Sequence, residues 1–161
     1  MFMNMSSAEH EALVPRLAQQ LVALLRSNDL MESVGVEIEP GKGDHGFDFV
    51  AHGRTKRGAE LRFVVECKTE PRPVHFPYSN ITRQFAPGGG VAVADVPVFG
   101  APFIGPRMAE VCWDHGWGWF DLAGNVRIGV PGLLYIERTG QKPSEPRPRA
   151  NLSTPEGVLA K

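Results

Sequence analysis

Cysteine is nearly absent from this chain of 161 residues: Cys67 and Cys112 are the whole supply. Two are too few for a disulfide framework or a cysteine-ligated zinc cluster, and both sit among apolar neighbours. They read as buried free thiols in a reducing compartment. Long apolar runs are missing as well, since nothing approaches the ~20 residues a membrane-crossing helix needs. The start, Met1-Phe2-Met3-Asn4-Met5-Ser6-Ser7, lacks the basic and apolar regions of a secretory leader. These absences lead to the expectation of a cytoplasmic protein without a membrane partner. There is no excess of either charge: 17 Lys and Arg against 18 Asp and Glu leave a formal net charge of −1. That excludes a generally basic nucleic-acid binder and leaves room for a local cationic groove. No Walker A loop, dinucleotide-binding glycine fingerprint, zinc-binding histidine pair or serine elbow is present.

What is present suits one soluble domain, with 42% hydrophobic and 22% charged residues and enough chain to bury a core. Ser6-Ser7-Ala8-Glu9 has the form of a capping box. Leu13, Val14, Leu17, Leu21, Leu24 and Leu25 then recur at helical spacing, so an amphipathic helix is expected, beginning firmly near Pro15. Alternation predicts a half-exposed strand over 34–39, and apolar runs predict strands over 46–52 and 60–67, joined by a polar hairpin. A short helix is expected over 80–85, a small-residue buried strand over 91–94, and a helix from Pro106 to about Gly116. Strands follow over 117–120, 126–128 and 133–136, with a tight turn at Asp121, Gly124 and Asn125. Residues 8–138 form the expected domain. Residues 139–161, rich in proline and charge, read as a flexible tail or linker, so cutting after Arg138 should leave stability almost unchanged.

The chemistry concentrates in two strands. Glu66-Cys67-Lys68 ends the run Leu61-Arg62-Phe63-Val64-Val65, and Asp48 lies in Gly46-Phe47-Asp48-Phe49-Val50. A lone charge in a buried strand costs roughly 2–7 kcal/mol or more unless paired. Alternation puts Glu66 and Lys68 on one face and Cys67 on the other. An acid and a base side by side, with a second carboxylate on the neighbouring strand, suggest a site for a metal and a water. The plainer reading is an ordinary ion pair at a strand end. Asp44 is a rival for the first carboxylate, and Glu37 or Glu39 could be a further acidic neighbour, although a solvated strand face suits them better.

The order helix, three strands, helix, strand, with Asp48 on the second strand and Glu66-x-Lys68 on the third, resembles the PD-(D/E)XK nuclease superfamily. That resemblance, over roughly residues 12–136, implies a restriction-endonuclease-like αβββαβ core, a mixed central sheet flanked by helices. It implies Asp48 and Glu66 as ligands of Mg2+ (or Mn2+), with Lys68 as the catalytic lysine. DNA is the implied substrate, and a homodimer is among the arrangements it implies. Phe47 stands where the family motif has proline. The stretch from Ala101-Pro102-Phe103-Ile104 to Gly118-Trp119-Phe120-Asp121-Leu122-Ala123-Gly124-Asn125 is similar to bacterial endonuclease-fold proteins in which a winged-helix region often follows.

The expected activity is therefore metal-dependent hydrolysis of DNA phosphodiester bonds. The alternative is a catalytically inactive endonuclease-like module that binds DNA or a protein partner, as in a transcriptional regulator. Arg54, Lys56 and Arg57 on the hairpin loop, with Arg72 and Arg83 after the lysine, are candidates for phosphate contact, or else a solvated basic loop. His45, His75 and Gln84 are weaker candidates for the cleft. Trp113, Trp117 and Trp119 suit core packing better than base stacking.

Overall fold

The computed structural model describes residues 2–38, 47–73 and 93–143. The expected short helix over 80–85, together with Glu39, Asp44, His45, His75, Arg83 and Gln84, lies outside the described residues. The chain is mixed α/β. It opens with α1 (Phe2–Arg26), followed by β1 (Met31–Ile38), β2 (Phe49–Thr55), β3 (Glu60–Cys67) and β4 (Val93–Ala101). Helix α2 (Pro106–Asp114) leads to β5 (Gly118–Asp121), β6 (Val126–Val130) and β7 (Leu134–Arg138). Among the described residues, seven strands form one sheet in chain order. The pairs β1–β2, β2–β3, β5–β6 and β6–β7 are antiparallel, while β3–β4 and β4–β5 are parallel. The parallel pairs sit where crossovers replace hairpins, and α2 is one of those crossovers.

Helix α1 is longer than its sequence suggests. It runs through Pro15 and carries Ser6 to Glu9 inside it, so that stretch is not a helix start. A proline inside a helix forfeits one backbone bond and costs about 3 kcal/mol. Burial of Leu13 and Val14 before it, and of Leu17, Ala18, Leu21, Leu24 and Leu25 after it, offsets that cost. The apolar stripe packs against Phe49, Ala51, Leu61, Phe63 and Val65, and the same core takes in Met31 and Val34 of β1 and Leu134 and Ile136 of β7. Both outer strands therefore reach the core around α1, and the sheet curls about the helix. Asn28, just past the helix, donates from its side chain to the Tyr135 carbonyl at 3.4 Å.

A second core of Phe99, Ala101, Ile104, Met108, Cys112, Trp117 and Trp119 lies under α2, on the other face. Burial pushes the Cys112 thiol up to about 12, so it stays protonated and unreactive near neutrality. Strand β4 continues through Pro97 to Ala101, past the expected end at residue 94. Pairing with β5 starts only at Val98, so Pro97 interrupts no ladder on that side.

The turn between β5 and β6 is as expected, and it is also an anchor. Asp121 accepts from the Asn125 and Ile104 backbone N–H groups, both at 2.9 Å, and from the Asn125 side chain at 2.8 Å. Asn125 then exchanges two bonds with Gln141, accepting from its N–H at 2.8 Å and donating to its carbonyl at 3.0 Å. The beginning of the expected tail is thus tied to the domain. Ending the chain after Arg138 takes both Gln141 bonds from the buried Asn125 carboxamide and leaves it only Asp121. The expected result in a urea titration is a loss of about 1–2 kcal/mol relative to a chain ending after Pro143.

Candidate active site

The C-terminal end of β3 collects the acidic and basic residues of interest. Asp48 stands one residue before β2, and its N–H donates to the Val65 carbonyl at 2.8 Å. Its carboxylate takes over where the backbone ladder stops: Oδ2 accepts from the Cys67 N–H at 2.7 Å. The side chain thus does what a neighbouring carbonyl would have done, which suits a buried acid with 4% exposure. The bonded N–H is the middle one of Glu66-Cys67-Lys68. Glu66 and Lys68 leave the strand on the face opposite α1, whereas Cys67 is buried against it. Lys68 Nζ lies 3.6 Å from Glu66 Oε2, with the lysine side chain 37% exposed and the glutamate 14%. The pair is therefore reachable by solvent.

His10, a residue that pattern reading passes over, reaches Asp48 from α1. Its Nε2 is 3.2 Å from Asp48 Oδ1 and 3.2 Å from the Cys67 carbonyl. Both neighbours are acceptors, so Nε2 carries the hydrogen whether the ring is neutral or charged. Sequence held a signal for this. His10, Leu13, Val14 and Leu17 share one helical stripe at i, i+3, i+4 and i+7. A helix starting near Pro15 would have left His10 out.

The basic candidates do not gather here. Lys56 and Arg57 occupy the β2–β3 turn, at the far end of β3, and eight residues of strand separate that turn from Lys68 by about 25 Å. Arg54 pairs across the hairpin with Glu60 at 2.8 Å. Arg72 follows the lysine on the correct side, but it is exposed and 3.8 Å from Glu70. Glu37 faces His52 at 3.7 Å on an exposed surface. Trp117 and Trp119 are core residues, as expected, and Trp113 is only half-buried.

The fit to a divalent ion is limited but coherent. Among the described residues no group of three His, Cys, Asp or Glu side chains is placed to hold a metal. Magnesium asks for less, since one or two carboxylates with waters and substrate phosphate suffice. Each Asp48 oxygen receives one of the hydrogen bonds given above. Among the described residues no helix is long and apolar enough to cross a membrane. Set against family models, curated proteins and solved structures, the chain matches none of them.

Proposed function

We propose that this chain is a nuclease-like domain of restriction-endonuclease-like architecture that hydrolyses DNA phosphodiester bonds with Mg2+ or Mn2+. The observation that carries the reading is the junction at Cys67. The Asp48 carboxylate binds the one N–H that lies between Glu66 and Lys68, which ties the residue before β2 to the Glu-x-Lys end of β3 and supports this reading. A bound divalent ion would neutralise phosphate charge and make a bound water more acidic. Asp48 and Glu66 would hold that ion. Lys68 would place a compact positive charge, on a flexible stem, beside the phosphate and the attacking water. Cys67 N–H and His10 fix the Asp48 carboxylate before any ligand arrives, which limits the reorganisation needed during reaction.

A second reading has its own support. Both Asp48 oxygens already have partners, and a Glu–Lys contact of 3.6 Å is also what a structural ion pair looks like. The alternative is therefore an inactive module of the same shape that binds DNA or a protein partner. Incubating the purified chain with plasmid and with linear single-stranded DNA, in magnesium, manganese or chelator, separates the two. Cutting that requires metal is the expected result. Binding without cutting under every metal would overturn the enzyme reading in favour of the module.

A further inference from the structure

An opening in the protein lies far from Asp48, at the other end of the sheet. It is a groove of about 640 Å³ between Leu30, Arg57, Trp113, Pro131 and Tyr135, among other residues. Its volume is in the range of sites that hold a small organic unit. Leu30 and Tyr135 are each 49% exposed, which makes them two of the few large apolar side chains facing solvent. Gly129 forms part of the wall, and a Cβ there would lie 3.1 Å from both the Trp113 and Tyr135 rings. The missing side chain lets both aromatics settle onto β6.

The rings are also held in place. Trp113 and Tyr135 meet edge to face at 6.4 Å. The Arg127 guanidinium covers Trp113 at 3.8 Å and donates to the Tyr135 hydroxyl at 3.2 Å. That hydroxyl donates in turn to Glu137 at 2.7 Å. Arg57 is the one charged residue lining the groove. Lys56 is beside it, with its backbone N–H bonded to the Leu30 carbonyl at 2.9 Å. An exposed aromatic floor with a cationic rim and no carboxylate in its lining matches a nucleobase with its phosphate.

We propose that this groove is a binding surface for single-stranded nucleic acid, with a base stacked on Tyr135 beside Trp113 and the adjoining phosphate at Arg57 and Lys56. The proposal needs no cleavage and is independent of the site around Asp48. It gives the basic turn a task that its distance from Lys68 otherwise denies it.

The test uses the full chain in chelator, so that no cutting intervenes. Binding of a labelled oligothymidylate of about 12 nucleotides is followed by anisotropy and by tryptophan fluorescence. Trp113 is the one tryptophan that is not buried, so binding should quench its emission. Tyr135→Ala is expected to weaken binding about tenfold, while Tyr135→Phe retains it. Arg57→Ala should weaken binding and reduce the salt slope by about 0.7. Arg16→Glu, twice the charge change of Arg57→Ala and on an exposed part of α1, should leave binding unchanged, and melting curves confirm that each variant is folded. Absence of binding, or binding indifferent to both Tyr135→Ala and Arg57→Ala, would overturn the proposal. So would equal competition by thymidine monophosphate or by duplex DNA.

Discussion

Asp121→Ala is expected to lower stability by about 3–5 kcal/mol, measured as a shift of the urea midpoint at constant slope. Asp121 is fully buried and accepts three hydrogen bonds, two of them from backbone N–H groups that have no water to turn to. Removing the carboxylate orphans the Ile104 and Asn125 donors and loosens the hold on Gln141. Asp121→Asn should fall in between, because a carboxamide keeps one acceptor oxygen and turns the other position into a donor facing a donor. Any nuclease activity should fall only in step with the folded fraction. An Asn variant of normal stability with no activity would show that Asp121 acts on substrate, against its structural assignment here.

Much of the fold was legible because strands and one helix face obey simple periods. Phe49, Ala51, Leu61, Phe63 and Val65 alternate inward as their sequence pattern requires. Pro106 opens α2 at its first turn, where a missing N–H costs nothing. Local rules failed where tertiary burial outweighed them. Pro15 did not mark the start of α1, because apolar residues on both sides of it are buried together. Pro97 did not end β4, because its neighbour strand β5 pairs only from Val98. Pro15 was read as a boundary by its intrinsic preference, and both prolines lie where the fold tolerates the lost bond.

The site was legible in part for the same reason. Glu66 and Lys68 share a face because alternation demands it, and the structure bears out that placement at 3.6 Å. His10 was hidden by the Pro15 boundary. The hairpin arginines were grouped with the site because sequence distance is a poor guide on a strand: a residue ten positions away lies at the opposite end of β3. The Asp48–Cys67 bond had no sequence signal at all, since it depends on where β2 stops pairing.

That bond makes the catalytic prediction sharp. Lys68 and Glu66 form a part-exposed contact, not a sealed pair, so Lys68→Ala should cost within about 1 kcal/mol of stability. Metal-supported cleavage should nevertheless fall by about 10²–10³-fold, the usual loss when one preset electrostatic group is removed. Glu66→Gln keeps size and hydrogen-bonding capacity but loses charge, so manganese binding, followed by titration calorimetry, should weaken while the melting curve stays close to that of the wild type. Asp48→Ala differs from both, because it strips the acceptor from the buried Cys67 N–H and from His10. It should destabilise by about 2–4 kcal/mol as well as abolish cleavage. Asp48→Asn leaves an oxygen for the Cys67 N–H and should recover most of that stability without recovering metal binding. A purely structural trio would give another pattern: no cleavage by the wild type, no manganese binding, and an Asn variant indistinguishable from it in every measurement but net charge.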